Sequence, residues 1–223
     1  MERIKVSVDE GYARWAKGYD TYSNGLIMIE EPIVRRLAGD VRGKRLLDVA
    51  CGTGRHSVYF DAAGAQVTAV DASEHMLAMA RAKTSGVIWK QGDIKALPTA
   101  DASFDIVVNA LVMEHVPDIR PAFAEAERVL APGGAFVLSV YHPTFLWKGV
   151  PPHFKAHEEE REYEMPAFIH MAADYVTEVI ALGMRLTHLL EPLVDDALVA
   201  KLPKWQKHHG TPAAIILRAE KSA

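Results

Sequence analysis

The residues with the most chemistry per position lie in Asp48-Val49-Ala50-Cys51-Gly52-Thr53-Gly54, a carboxylate followed closely by a pair of glycines. Gly52 and Gly54 permit a tight turn and let a ligand lie against bare backbone. A helix beginning just beyond them presents free N–H groups and partial positive charge. A dinucleotide loop of the form G-x-G-x-x-G would carry a third glycine, where this chain has Ser57. A carboxylate at Asp48 repels a pyrophosphate and attracts an amine, which favours a cofactor bearing a cation or an amino acid over NAD. Asp71 follows about 20 positions after the glycines, placed to accept hydrogen bonds from ribose hydroxyls. Asp93, in Gly92-Asp93-Ile94, can accept from an exocyclic amine while Ile94 flanks a flat base. Taken singly, these are also a strand–helix turn, a helix cap and a turn residue.

A second group could serve an acceptor. Tyr12, Trp15, Tyr19 and Tyr22 fall within about three helical turns, with Trp15 and Tyr19 on a shared face. Such a segment can exclude water from a site and contact a cation through its ring faces; the plainer reading is an amphipathic helix packed on the domain. His142 and His115 each follow an apolar run and are rival general bases, histidine being the side chain whose charge changes nearest neutral pH. Either is equally readable as a structural histidine, and Glu191 is a further candidate. His153 and His157 have i, i+4 spacing, with His142 and His170 nearby in sequence. That spacing can bind metal, but Pro151 and Pro152 favour a surface turn, and no metal site is expected. Cys51 reads as a small core residue.

These residues need a scaffold. Arg45–Ala50, Gln66–Val70, Val87–Lys90, Phe104–Leu111 and Ala135–Tyr141 are apolar runs that predict strands. Arg55–Ala63, Glu74–Lys83 and a segment from a cap at Asp118 through Pro121 to Leu130 predict helices between them, with Ser73 capping the second. Ala131-Pro132-Gly133-Gly134 stops the third helix. Later, Ala172–Leu182 reads as helix, Arg185–Glu191 and Ala213–Ala219 as strands, and VDDALVAKL as helix-like. Near-continuous apolar strands alternating with helices imply a parallel sheet covered on both faces, hence a doubly wound α/β fold with ligands at the carboxyl ends of its strands. The stretch Pro143–Pro166, containing Glu158-Glu159-Glu160, reads as an insertion or lid, or else as a solvated loop.

The chain has 223 residues, 49% hydrophobic and 24% charged, which suits one globular domain. Its formal net charge of -4 offers no electrostatic footprint for a nucleic acid. A single cysteine, no signal-like start and no apolar stretch of roughly 18 residues predict a cytoplasmic protein without a membrane span.

The segments LLDVACGTGRHS, VTAVDAS, QGDIKALPTADASFDIVVNALVMEHV and RVLAPGGAFVLSV, in that order from about Lys44 to Val140, resemble class I S-adenosylmethionine-dependent methyltransferases. The nearest likeness is to the small-molecule enzymes akin to ubiquinone and menaquinone C-methyltransferases. The resemblance implies a Rossmann-like seven-stranded sheet of order 3-2-1-4-5-7-6, with strand 7 antiparallel. It also implies an N-terminal helical lid (1–40), a cofactor core (41–142), the insertion (143–170) and the rest of the sheet (171–223). It implies S-adenosylmethionine as cofactor, with Asp48, Gly52 and Gly54 around its methionine part and Asp71 on the ribose. Asp93 would take the adenine amine, Ala72, Met76 and Ile94 would sandwich the base, and Asn109 would lie near the sulfonium. Tyr19 and Tyr22 would form the lid, with Tyr22, Trp15, Tyr12 and His142 toward the substrate. Asn109-Ala110-Leu111-Val112 departs from the Asn/Asp-Pro-Pro-aromatic element of nucleic-acid and glutamine amino-methylating enzymes, and Ala181-Leu182-Gly183-Met184 departs from the Ala-Gly-Phe turn common in small-molecule members. The expected activity is methyl transfer to a small molecule, with the O-, N- or C-acceptor open. The rivals are a catalytically silent cofactor-binding sensor or assembly subunit, which should leave the substrate side closed, and an NAD-dependent oxidoreductase. Oligomeric state stays open between monomer and homodimer.

Overall fold

The computed structural model describes residues 3–21, 23–156 and 161–223. In chain order these form β1 (Ile4–Lys5), α1 (Val8–Trp15), a 3-10 helix (Ala16–Thr21), α2 (Gly25–Ala38), β2 (Arg45–Val49), α3 (Arg55–Ala62), β3 (Gln66–Asp71), α4 (Glu74–Arg81), β4 (Ile88–Gln91) and β5 (Phe104–Ala110). A 3-10 turn (Met113–His115) leads to α5 (Arg120–Val129), β6 (Leu130–Tyr141), α6 (Pro143–Trp147), β7 (His153–Lys155) and β8 (Glu162–Glu164). The chain closes with α7 (Ala172–Ala181), β9 (Arg185–Leu190), α8 (Asp196–Lys201), a 3-10 helix (Pro203–His208) and β10 (Ala214–Glu220).

Seven strands form one sheet in the order β4-β3-β2-β5-β6-β10-β9. Those from β4 to β6 are parallel, and β10 runs antiparallel to β6 and β9. Counting the sheet's strands by chain position gives the 3-2-1-4-5-7-6 order that the resemblance implies. Alternation along each strand sends neighbours to opposite faces. Leu46, Val108, Val137 and Ile216 pack with α2, α3 and α8, while Leu47, Val107, Phe136 and Leu217 pack with α5 and α7. Both faces are therefore buried, which is why these strands read as unbroken apolar runs.

Three local expectations are corrected. β6 begins at Leu130, which pairs with Phe104, and Ala131–Gly134 is absorbed as a register shift before Ala135 pairs with Ile106. The backbone of Gly133 and Gly134 bonds Lys221 at the chain's end, which holds the excursion in the sheet. Asp118 is not the cap of α5: Ile119 occupies that position, and Asp118 Oδ1 accepts from Arg120 N at 3.2 Å. The solvated-loop reading of the stretch after Pro143 also fails over its described residues. β7 and β8 pair with β1 in a three-stranded sheet, order β1-β8-β7. Phe154 and Tyr163 are buried there, and Trp15 of α1 stacks on Phe154 with ring centroids 4.8 Å apart. Alternating apolar residues among charges made this little sheet hard to see.

Candidate functional site

Two cavities, each of about 250 Å³, lie at the carboxyl edge of the large sheet. The first receives Asp48 from β2, Asp71 from β3, and Asp93 and Ile94 from the loop after β4. The three acids thus line one cleft, joined by Gly52, Ala72 and Met76. The turn between β2 and α3 is stitched to β3 by Cys51 N donating to Val70 O at 3.1 Å. Asp71 is held from two sides, its Oδ2 accepting from Gly52 N at 2.7 Å and its Oδ1 from Ser73 N at 2.8 Å. Each carboxylate oxygen keeps a further lone pair for a hydroxyl. Burial pushes the Asp71 carboxyl up, and the two amides pull it back down.

Asp48 forms the floor. It is buried and accepts from Ser57 Oγ. The residue that stands in place of the third loop glycine is therefore the partner of the first acid. Burial raises the Asp48 carboxyl, against the lowering influence of His56, Ser57 and Arg55. At Gly52, with φ +56°, an added Cβ would meet nothing within 4 Å, so the backbone is bare to the cavity. Ala50 (φ 56°) and Leu111 (φ 58°) adopt the left-handed region without being glycine, and both line this cavity. Such conformations are held only by their surroundings and cluster at functional sites.

The N-terminal segment closes over the loop. Asp20 accepts from Thr53 Oγ1 and pairs with Lys83 Nζ, each at 2.7 Å, while Lys83 also donates to Thr53 O at 2.6 Å. Tyr12, Tyr19 and Leu111 line both cavities. Trp15 lines only the second of the two, where it meets Tyr19 edge-on at 4.7 Å. Tyr22 and His157 lie outside the described residues.

Several expected site residues sit elsewhere. Gly54 does not line the first cavity; its φ of +79° and the Trp89 ring, 2.5 Å from where a Cβ would stand, make it a packing glycine. Asn109 is buried between strands, its Nδ2 donating to Val49 O at 2.9 Å, and the wall near it is made by Ala110, Leu111 and Val112. His142 lines neither of these cavities. It caps α6, accepting from Thr144 N at 3.2 Å, with Nε2 3.2 Å from Glu191. Its place after β6 is at the carboxyl edge of the sheet, but its two ring nitrogens are engaged by Thr144 and Glu191. Among the described residues, no group of three or more His, Cys, Asp or Glu side chains gathers where it could hold a metal. The Cys51 thiol is pushed well up by burial, then by Asp48 and Asp71, which leaves it a weak nucleophile.

His115 does reach the second cavity. Its Nδ1 is 2.7 Å from Pro166 O, a group that only accepts, so Nδ1 carries hydrogen and the neutral ring leaves Nε2 as its basic nitrogen. That Nε2 stands 3.2 Å from Tyr12 Oη. Burial raises the Tyr12 hydroxyl well above its usual range, and Tyr19, Glu114 and Asp71 push the same way, so it stays a donor.

Sequence reasoning missed three polar residues. Arg55 and His56 line the first cavity. Arg55 pairs with the fully buried Glu30 of α2, and His56 Nε2 lies 3.5 Å from the same carboxylate. Neither ring nitrogen of His56 has a hydrogen-bond partner among the described residues. Glu114, beside His115, is buried in the second cavity with Oε2 unpartnered, and burial raises its carboxyl. A charged residue directly after the apolar stretch of residues 111–113 that follows β5 was the available signal for Glu114; for His56 there was none.

An α/β sheet with three acids and a bare glycine at its carboxyl edge forms a cleft with acceptors suited to hydroxyl and amino groups. Comparison with known proteins makes the class specific. A methyltransferase-domain family model matches residues 47–138. The chain is 31% identical over 199 residues to a malonyl-[acyl-carrier protein] O-methyltransferase of Pseudescherichia vulneris, covering 88% of this chain and 76% of that protein. It is 39% identical over 135 residues to a demethylmenaquinone methyltransferase of Renibacterium salmoninarum, covering 58% and 57%. The chain spans about half the length of several of the curated relatives it matches. Among solved structures, an S-adenosylmethionine-dependent methyltransferase from Mesorhizobium loti shares the fold with a TM-score of 0.72 at 24% identity, over 86% of this chain and 97% of that one. The chain belongs to the S-adenosylmethionine-dependent methyltransferases. Its cofactor is S-adenosylmethionine, and among the described residues no helix is long and apolar enough to cross a membrane.

Proposed function

We propose that this enzyme methylates a hydroxyl group on a small aromatic acceptor held in the second cavity, with His115 as the base. The observation that carries this reading is the junction between the cavities. Tyr12, Tyr19 and Leu111 belong to both, and the Tyr12 hydroxyl faces the basic nitrogen of His115. Bound S-adenosylmethionine supplies a methyl group made electrophilic by its sulfonium. The residues fit it: Asp71 presents oriented lone pairs to a ribose, and Asp48 and the Gly52 backbone face the amino-acid part. Arg55 can take its carboxylate, Asp93 the adenine amine, and Ala72, Met76 and Ile94 its flat faces. His56 lines the same cleft, with Nε2 turned to Glu30 and Nδ1 without a hydrogen-bond partner among the described residues.

On the acceptor side, the chain positions and excludes water. Residues 3–21 serve as the lid, pinned through Asp20, whereas α2, expected in the lid, packs against the large sheet. A hydroxyl is a poor nucleophile until its proton leaves. His115 Nε2 takes that proton directly or through Tyr12, and Pro166 O holds the resulting cation by accepting from Nδ1–H. An open acceptor chamber supports turnover over a silent cofactor-binding role. The relative named an O-methyltransferase agrees with an oxygen acceptor.

The test is release of S-adenosylhomocysteine across a panel of hydroxyaromatic, aminoaromatic and quinol acceptors. Turnover of hydroxyaromatics is expected, and His115→Gln should lower kcat about 100- to 10,000-fold while the dissociation constant for S-adenosylhomocysteine stays put. Turnover of amines alone, or a His115→Gln variant with unchanged kcat, would overturn the assignment.

A further inference from the structure

Glu30 of α2 is fully buried, yet it lines neither cavity. A buried charge is costly unless it is paired, and this one is met at both oxygens. Oε2 accepts from Ser139 Oγ of β6 at 3.1 Å, which anchors it to the sheet. Oε1 meets the Arg55 guanidinium and lies 3.5 Å from His56 Nε2, both at the start of α3. Burial pushes the Glu30 carboxyl up, but Arg55 and His56 outweigh it and bring it below its usual value, so it is ionised at neutral pH.

The two residues that Glu30 touches both line the first cavity, as Asp48 does. Arg55 has a second carboxylate, Glu31, at 3.5 Å, but Glu31 is held more closely by Arg35, at 2.8 Å. A guanidinium carries five N–H donors, so its pairing with Glu30 leaves donors for another anion. His56 is left with the opposite capacity. An ionised carboxylate only accepts, so the neutral ring carries its hydrogen on Nε2, toward Glu30, and keeps a lone pair on Nδ1. Nδ1 has no hydrogen-bond partner among the described residues, although the residue is only 2% exposed. One carboxylate therefore prepares a donor at Arg55 and an acceptor at His56, in consecutive residues.

We propose that Glu30 is the positioning residue for the amino-acid end of S-adenosylmethionine. It aims Arg55 at the carboxylate and sets His56 Nδ1 to accept, with Asp48, from the ammonium. This rests on the placement of the cofactor in the first cavity and adds the buried group that orders its far end. That end is a zwitterion, so the charge of Glu30 attracts one half of it and repels the other. What the loss of Glu30 removes is chiefly the orientation of the two side chains that meet the cofactor.

The probes are S-adenosylhomocysteine, its decarboxylated analogue, and methylthioadenosine, which has neither carboxylate nor ammonium. Calorimetry on the full chain gives each dissociation constant. The natural chain should bind S-adenosylhomocysteine at least about ten-fold tighter than methylthioadenosine, since charged hydrogen bonds hold the amino-acid end. Glu30→Gln should weaken S-adenosylhomocysteine about ten-fold and leave methylthioadenosine within about two-fold. A merely structural loss weakens both alike. Arg55→Gln should weaken S-adenosylhomocysteine by a similar factor and spare the decarboxylated analogue, whereas Glu30→Gln should still weaken that analogue through His56. Ser139→Ala removes the other anchor of Glu30 without removing a charge, and it should shift the same ratio in the same direction by about two- to five-fold. It serves if Glu30→Gln fails to fold. Equal binding of S-adenosylhomocysteine and methylthioadenosine by the natural chain, equal weakening of both by the variants, or unchanged S-adenosylhomocysteine affinity in folded Glu30→Gln would overturn the proposal and leave the adenosyl site standing. Failure of the natural chain to bind any of the three probes removes the cofactor site itself.

Discussion

Asp71 is oriented before any ligand arrives, because the amides of Gly52 and Ser73 fix both oxygens of its carboxylate. Charged hydrogen bonds of the kind it offers a ribose are worth about 1.5–3 kcal/mol each. Asp71→Ala should therefore weaken S-adenosylhomocysteine binding by about ten- to a hundred-fold in calorimetry; an unchanged constant would place the ribose elsewhere. Glu114 makes a prediction of a different kind. Burial raises its carboxyl in the fold above the ordinary value of 4.5, so the folded state holds that proton more tightly than the unfolded chain. Its contribution to stability is present below the ordinary value and is lost as pH rises through the raised one. Asp48 and Asp71 contribute with the same sign. Glu30 has the opposite sign, because Arg55 and His56 outweigh its burial and hold it low. Glu114→Gln should gain stability relative to the natural chain between pH 4.5 and neutrality, seen as a melting-temperature difference that widens with pH. A difference independent of pH would mean that Glu114 does not titrate in this window.

At the scale of elements, the turn from β2 into α3 is fixed by what surrounds it as much as by its own glycines. Gly52 faces open space, while Gly54 faces the Trp89 ring of β4. Gly54→Ala must both strain a left-handed backbone and displace an aromatic ring. Overpacking of this kind costs about 1–3 kcal/mol, which for a chain of this length lowers Tm by roughly 2–12 °C. Differential scanning calorimetry measures it. Trp89→Leu should recover part of the loss in the double variant, since the two positions share one contact. Additive losses would mean that the ring is not the obstacle.

One small aromatic cluster joins the N-terminal segment to the three-stranded sheet beside the second cavity. Trp15 of α1 packs with Phe154 and Tyr163 of the three-stranded sheet and with Met165 just beyond it, and Tyr12 and Tyr19 from the same N-terminal segment line the first cavity. Ligand contact at those tyrosines should therefore quieten distant strands. Hydrogen exchange with and without S-adenosylhomocysteine should show slower exchange in residues 4–21 together with 153–156 and 161–165. Protection confined to residues 48–94 would show that the segments open independently.

Much of this was legible in the chain itself. Buried parallel strands leave unbroken apolar runs, so β2, β3 and β5 could be read to within a residue or two and β6 from Ala135 onward, and the acids near the ends of the first two and following β4 could be placed at one edge. Short local patterns also gave the Ser73 cap and the Tyr12–Tyr19 segment. Pairing of distant segments was decided only in three dimensions. The charged stretch after Pro143 became a sheet because Trp15, far away in sequence, covers Phe154. His115 rather than His142 reached the chamber because His142 is spent capping α6. Asn109 and Gly54 proved to be packing residues, and Arg55, His56 and Glu114 entered the site through burial against elements that no local periodicity connects to them. Periodicity reports which face of an element is buried, whereas the direction of a polar side chain depends on which distant group is there to meet it.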